Sequence, residues 1–286
     1  MFSIHRRTEC DGYLLREGLA WKPFARYKQS VAIRDFISSG ENRGQPWLRK
    51  ELVAPWWEIV LVIAVVIGIS ALKSTWSAFH GSSAHYVDML LTDQRMIHYV
   101  AIESGLLALL FFFLHGRGWT PADLKIRPGW WRTLLGLPLA LAMMLSNFIV
   151  VASGFSLAYA LQTKFGHFLP FLATQVQAPA PHSVHFHWTI LIAAMILNAF
   201  FEEITCMGYT FTQFAAKRGP LFALVVTVLL RMSCHTYEGL LHVLGIGAVF
   251  LLTGLFYWRT RKLWALIVAH ALVDIISFAL VKSVGG

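Results

Sequence analysis

Apolar runs long enough to cross a membrane recur along this 286-residue sequence. A transmembrane helix needs about 20 mostly apolar residues to cross the roughly 30 Å hydrocarbon core of a bilayer. Seven runs approach or exceed that length, at approximately 55–72, 96–114, 132–158, 188–215, 219–237, 240–258 and 263–282. Hydrophobic residues make up 57% of the chain, whereas soluble domains contain about 45–50%. The sequence therefore predicts an all-α, polytopic membrane helix bundle with about seven transmembrane helices.

The positive charge of the chain follows this topology. Ten Lys and Arg residues precede the first run and four lie between the second and third runs or at the start of the third, while the alternate loops are poor in them. An excess of Lys and Arg marks cytoplasmic loops. We therefore expect a multi-pass cell-membrane protein with a cytoplasmic N-terminus, in contact with membrane lipid. The net charge of +9 then needs no nucleic-acid partner.

Residues 1–54 form a polar N-terminal segment, and residues 55–187 form an N-terminal group of transmembrane helices. The polar segment lacks the apolar region of a secretory signal peptide. Its stretch from 21 to 37 mixes aromatic and basic residues, which suits either an amphipathic helix on the inner leaflet or a solvated tail. The three cysteines, Cys10, Cys206 and Cys234, have no paired spacing, so they predict neither a disulfide framework nor a thiolate zinc site.

Two adjacent acids, Glu202 and Glu203, interrupt the fourth apolar run. A charged side chain at the centre of a membrane helix costs about 2.5–3.5 kcal/mol, so such residues face a bundle interior or a wet cavity and find partners there. Among the other polar residues within the predicted spans are Asn147, Asn198, Arg231, His235, His242, His270 and Asp274. The sequence predicts that some of these residues surround the two acids.

Three predicted helices each carry two polar residues that can share one face. The pairs are Glu202 and Glu203, Arg231 and His235, and His270 and Asp274. Residues four apart lie on one helix face, and adjacent residues are about 100° apart, so each pair can border a common cavity. Two carboxylates with two imidazoles suit hydrolysis. A glutamate activates water, while the imidazoles polarise a carbonyl group or hold a metal ion.

Three motifs at these residues resemble those of the CPBP intramembrane proteases. This family, also called Abi, includes type II CAAX prenyl endopeptidases and bacteriocin-processing or immunity proteins. Its Glu-Glu-x-x-x-Arg motif corresponds to E-E-I-T-C-M at 202–207, and its Phe-x-x-x-His motif to R-M-S-C-H at 231–235. Its His-x-x-x-Asn/Asp motif is matched fully by H-A-L-V-D at 270–274. The resemblance predicts a protease-like core over 188–282.

The resemblance implies a role for each motif residue. Glu202 would activate water, with Glu203 as its partner, and His235 and His270 would complete the site. Asp274 would support His270 or the oxyanion. The family likeness leaves two mechanisms open: a zinc ion held by His235, His270 and Glu202, or glutamate-dependent catalysis without metal. The implied substrate is a peptide or lipidated protein at the membrane.

Two positions depart from the family motifs. Met207 stands where the family has arginine, and Arg231 stands where it has phenylalanine. The motif arginine would lie one turn after Glu203 and pair with it. We expect Arg231 to replace it through a bidentate contact with Glu203, with Asn198 as a further supporting residue. We refer to this expectation as the swapped-arginine hypothesis.

Two other functions are compatible with the same residues. Loss of the motif arginine suits a catalytically silent member that acts as an immunity or scaffold protein, and intramembrane acids also occur in ion-coupled transporters. Polar residues outside the motifs have simpler interpretations. We expect His242 to be a packing residue, His182, His185 and His187 to belong to an interfacial loop, and Asn147 and Asn198 to bridge helices.

Overall fold

A computed structural model of the protein describes residues 47–79, 92–166 and 187–285. The regular structure of these residues is helical throughout, which confirms the predicted fold class. The seven helices are α1 (Trp56–Phe79), α2 (Asp93–Gly116), α3 (Trp130–Phe165), α4 (Trp188–Arg218), α5 (Pro220–Cys234), α6 (Leu240–Thr260) and α7 (Leu263–Gly285). The possible amphipathic stretch at 21–37 and the residues Cys10, His182 and His185 lie outside the described residues.

Each predicted apolar run corresponds to one helix, but the helices differ in length. Within the described residues, six helices are long and apolar enough to cross a membrane: α1, α2, α3, α4, α6 and α7. The remaining helix, α5, has 15 residues and so rises only about 22 Å. It starts at Pro220, after Gly219 with its positive φ of 87°, and ends at Cys234. The run at 219–237 therefore does not form a full-length span.

The helices pack so that α4 borders the polar interior together with α5 and α7. Helix α7 packs against α3 and α4, α2 packs against α4, and α5 packs against α1 and α6. Residues Ile204–Phe211 in the middle of α4 form a π-helical segment, and all eight are buried. Such wider turns are common at functional sites. The segment begins directly after Glu203, so it fixes where the two acids point relative to the rest of α4.

Helix α7 begins partway along α4 rather than at its end. A Cβ atom added at Gly208 would lie 3.2 Å from Leu263 Cδ2, so the first residue of α7 packs directly on Gly208. Glu203 lies five residues before Gly208, and His270 lies seven residues after Leu263. Glu203 and His270 therefore lie at similar positions along the axis of the bundle. They would not do so if α7 began level with the end of α4.

Polar contacts hold the segment before α1 against the end of α4. Gln213 donates from Nε2 to the carbonyl of Leu52 at 3.0 Å, and its Oε1 accepts the backbone N–H of Ala54 at 3.0 Å. At the start of α1, Arg117 pairs with Glu58 across 3.2 Å. These contacts satisfy polar groups that would otherwise be costly to bury.

Candidate active site

Glu203 joins three helices through one carboxylate oxygen. It is 1% exposed, and its Oε1 accepts hydrogen bonds from Arg231 Nη2 of α5 at 2.5 Å and from His270 Nδ1 of α7 at 2.9 Å. A buried carboxylate is tolerated only where such partners compensate for the loss of water. Glu203 is therefore the structural centre of the site.

Arg231 lies inside the bundle between the two acids. It is 2% exposed, and its Nη2 atom also lies 3.3 Å from Glu202 Oε2. The guanidinium carbon lies 4.1 Å from the centre of the Phe250 ring, a favourable cation–π distance. The contact differs from the expected bidentate geometry, because one nitrogen bridges two carboxylates. Met207, at the family's arginine position, is fully buried.

Glu202 faces two imidazoles. Its Oε1 lies 4.0 Å from His235 Nε2, and its Oε2 lies 4.0 Å from His270 Nε2. Both separations exceed a direct hydrogen bond of about 2.7–3.2 Å, but each suits one bridging water molecule. The Glu202 side chain is 20% exposed, against 1% for Glu203. Glu202 is thus the acid of the pair that solvent and substrate can approach.

Glu238 orients His235 and belongs to none of the three motifs. His235 directly follows α5, and its Nδ1 lies 2.8 Å from Glu238 Oε1. The turn that carries Glu238 is tied to α1, because Ser74 Oγ contacts Thr236 Oγ1 at 2.9 Å and accepts the Tyr237 N–H at 3.1 Å. The signal in the sequence is an acid three residues after a motif histidine.

Asn198 and Asp274 extend the site along α4 and α7. Asp274 Oδ2 lies 3.5 Å from His270 Nε2, and it accepts a hydrogen bond from Asn198 Nδ2 at 3.2 Å. His270 therefore has a carboxylate near each ring nitrogen: Glu203 at Nδ1 and Asp274 at Nε2. Asn198 links the two helices, as expected for an intramembrane amide.

A third acid near the site comes from α2. Core-facing positions of this helix are spaced three, four or seven residues apart, at Met96, Val100, Leu107, Leu110 and Leu114. Glu103 falls on the same face, and it interacts electrostatically with Glu202, Asp274 and His270. Glu103 belongs to none of the three motifs, and its signal in the sequence is a single acid at core spacing within the 96–114 run.

The remaining polar candidates lie away from this site. His242 is exposed and contacts the Phe155 ring edge-on, with centroids 5.8 Å apart. His187 precedes α4 and pairs with Asp93 at the start of α2. Asn147 has a buried Oδ1 atom that finds no hydrogen-bond partner within the described part of the chain, so the expected helix-bridging bond is absent there.

The donor arrangement does not fit a zinc ion. Tetrahedral zinc holds nitrogen and oxygen ligands at about 2.0–2.2 Å, which places neighbouring ligand atoms roughly 3.4 Å apart. The two Glu202–histidine separations are 4.0 Å, and the Arg231 cation already lies beside both carboxylates. Across the described residues, no group of three or more His, Cys, Asp or Glu side chains is placed to hold a metal ion.

The fold and site together define a class: a polytopic helical membrane protein with paired acids, histidines and an arginine inside its bundle. Residues 184–276, about a third of the chain, match the family described as Type II CAAX prenyl endopeptidase Rce1-like. This match confirms the resemblance and supports, at the level of the family, a CAAX-protease-type intramembrane endopeptidase. No curated protein and no solved structure gave a match in the same comparisons.

Proposed function

We propose that the protein is an intramembrane endopeptidase that hydrolyses a peptide bond of a membrane-associated peptide or lipidated protein. The observation that carries this proposal is the position of Glu202 between two imidazole nitrogens, each 4.0 Å from one of its oxygens. This arrangement supports a water molecule held between Glu202 and His235. We also propose that the chain resides in the cell membrane with its N-terminus in the cytoplasm.

The proposed reaction uses Glu202 as general base. Glu202 takes a proton from the bound water, and the water oxygen attacks the scissile carbonyl carbon to form a tetrahedral oxyanion. When the carbon–nitrogen bond breaks, the same proton passes from Glu202 to the leaving amine. A general base of this kind contributes about 10²–10⁴-fold to a rate.

The two histidines have different proposed roles, set by their partners. His235 donates its Nδ1 proton to Glu238, which leaves Nε2 to accept a hydrogen bond from the water. His270 has Glu203 at Nδ1 and Asp274 near Nε2, so both its nitrogens have acceptors and both can carry protons. Its Nε2 proton is then available to the oxyanion.

Replacing Glu238 tests the orientation of His235. Glu238→Gln should slow cleavage by about 10–100-fold, because loss of a carboxylate that orients an imidazole typically has that effect. The measurement is the cleavage rate in reconstituted bilayers, with the melting temperature as a check on folding. Glu51→Gln, a change of the same type at an exposed site remote from the bundle interior, is the control. Equal rates for Glu238→Gln and wild type would remove Glu238 from the mechanism.

Chelation tests the metal requirement. Because the donor separations and Arg231 do not fit zinc, we expect cleavage to continue at an unchanged rate after treatment with 1,10-phenanthroline and removal of the chelator. The measurement is product formation before and after treatment, together with the metal content of the protein. Activity that is lost on treatment and restored by added Zn²⁺ would contradict a metal-independent mechanism.

Mapping new peptide termini tests the proposed activity itself. Host membranes carrying wild type or Glu202→Ala at equal abundance are compared by mass spectrometry, and a protease predicts termini that vanish in the variant. Those termini also identify the substrates. Identical termini with good coverage of membrane peptides would favour a silent scaffold or immunity protein. Identical termini with an ion flux that depends on Glu202 would favour a transporter.

A further inference from the structure

Buried polar atoms without a hydrogen-bond partner are concentrated in one part of the bundle. Within the described part of the chain eight such side-chain atoms occur, and six of them belong to Arg231 or to residues from Glu203 to Thr210 of α4. Three of the six are the hydroxyl groups of Thr205, Tyr209 and Thr210, which are at most 1% exposed. Native proteins rarely leave buried polar atoms unpaired, and internal water is a common partner. The cluster therefore indicates a hydrogen-bonding ligand.

The three hydroxyl groups share one side of α4. All three residues lie in the π-helical segment Ile204–Phe211. Tyr209 and Thr210 follow Thr205 by four and five residues, which is about one turn of a helix with i→i+5 hydrogen bonds. The wide turns of this segment therefore bring the three side chains to neighbouring positions. We call Thr205, Tyr209 and Thr210 the hydroxyl face.

Other threonines of the bundle satisfy their hydroxyl groups within their own helix. Thr227 of α5 and Thr260 of α6 each donate to the backbone carbonyl four residues earlier, at 2.7 Å and 2.8 Å. This local bond is a common arrangement for a threonine in a helix. Thr205 and Thr210 lack it, although their backbone is also helical. Their hydroxyl groups are therefore available to a different partner.

Polar groups lead from solvent to one end of the hydroxyl face. Tyr209 packs on Trp119, with ring centroids 5.8 Å apart, and it interacts electrostatically with Glu58 and Arg117. These two residues form an ion pair across 3.2 Å, in which the Arg117 side chain is 38% exposed and that of Glu58 8%. Exposure thus falls from Arg117 through Glu58 to Tyr209, which is fully buried.

The other end of the hydroxyl face lies beside the acids of the candidate active site. Thr205 follows Glu202 by three residues, and Tyr209 follows it by seven, which corresponds to about 10 Å along the helix axis. Near Glu202, Glu203 Oε2 and two nitrogen atoms of Arg231 are further buried atoms without a partner in the described part of the chain. A buried water molecule typically makes about three hydrogen bonds to such groups.

We infer that the hydroxyl face is a binding site for internal water molecules, which form a hydrated path between the Glu58–Arg117 ion pair and Glu202. Each hydroxyl group donates one hydrogen bond and accepts two, so the face can hold water in either orientation. Water is a reactant of peptide-bond hydrolysis, and the hydrocarbon around a membrane protein does not supply it. Water binding at the face is independent of protease activity, whereas the use of this water at Glu202 rests on the proposed function.

Radiolytic footprinting in lipid nanodiscs tests the bound water directly. Ionising radiation produces hydroxyl radicals from water in place, so a buried side chain is oxidised where it contacts internal water. Tyr209 should be oxidised and Tyr257 should not. Tyr257 is the matched control, because it is also fully buried and its hydroxyl group lies 3.4 Å from Thr212 Oγ1. Thr205→Val should reduce the oxidation of Tyr209, and Thr205→Ser should retain it. Oxidation of Tyr209 no greater than that of Tyr257 would overturn the inference.

The melting temperature of Tyr209→Phe gives a second, independent result. If the hydroxyl group binds water, its removal leaves that water with one partner fewer, and the melting temperature should fall. If the hydroxyl group has no partner, its removal relieves the cost of burying it. A melting temperature above that of wild type would therefore overturn water binding at Tyr209.

Cleavage rates test whether the path serves Glu202. Thr205→Val/Tyr209→Phe should slow cleavage, and Thr253→Val should not. Thr253 is the control because its hydroxyl group is equally buried but donates to the carbonyl of Phe250 in its own helix. A wild-type rate in the double variant would overturn the path to Glu202, even where Tyr209 is oxidised. A wild-type protein without cleavage would contradict the proposed function, and the oxidation of Tyr209 would still decide whether the face binds water.

Discussion

Glu202→Gln is expected to reduce proteolysis by roughly 10²–10⁴-fold, the contribution of a positioned general base. Glutamine has nearly the same shape as glutamate and can still hydrogen-bond a water molecule, but it cannot take the proton of that water. Because Glu202 is 20% exposed and contributes less than Glu203 to the buried contacts, we expect the variant to fold. The measurement is the cleavage rate of a mapped substrate peptide in reconstituted bilayers.

Glu103→Gln is the matched comparison for Glu202→Gln. Glu103 is also a carboxylate within a membrane helix near the site, but it has no contact with a histidine among the hydrogen bonds and ion pairs of the described residues. We expect it to lower the rate by less than about tenfold, the typical scale of a modest electrostatic change. A folded Glu202→Gln protein that cleaves at the wild-type rate would remove the proposed base. An equal loss in Glu103→Gln would show that the site responds to charge alone.

The apolar runs and the three motifs were sufficient to predict the fold class and the family resemblance. Spacing within single helices is local information, so the pairs on α4, α5 and α7 were visible in the sequence. The contacts between these helices depend on where each helix lies along the bundle axis, and the local sequence does not encode that position. His270 meets Glu203 at 2.9 Å only because α7 begins beside Gly208, well before the end of α4. Packing between helices sets that offset, and no residue pattern in α7 encodes it.

Two polar partners of the site, Glu238 and Glu103, were not predicted, for a different reason. Glu238 lies in the turn after α5 and contacts His235, and Ser74 of α1 accepts the backbone N–H of Tyr237 in the same turn. The contact between Ser74 and this turn is long-range, and the motif does not encode it. Glu103 was present in an apolar run, but its direction toward α4 depends on which face of α2 packs inward. Identifying either residue as a partner of the site requires the tertiary structure. Sequence spacing predicts which residues share a helix face, but it does not predict which neighbouring element that face contacts.

Arg231→Met is expected to lower both stability and activity. It leaves Glu203 buried with His270 as its remaining hydrogen-bond partner among the described residues, and breaking a buried ion pair by removal of one partner costs about 3–5 kcal/mol. The measurements are the melting temperature in detergent micelles and the cleavage rate. A variant that matches wild type in both would contradict the swapped-arginine hypothesis, because Arg231 would then have no positioning role.

Moving the cation from position 231 to the family's arginine position, 207, tests whether the site needs the positive charge or needs Arg231 itself. Met207 is fully buried four residues after Glu203, so Met207→Arg can return a guanidinium group to the same carboxylate from α4. Combined with Arg231→Phe, it restores both family motifs. Since contacting residues are not additive, we expect the double variant to be more stable and more active than Arg231→Phe alone. Met207→Arg alone should be destabilising, because two buried cations would then share Glu203. The contrary outcome is a double variant that loses as much stability and activity as the two single variants together predict. That result would show that Arg231 acts by packing on Phe250 rather than through its charge.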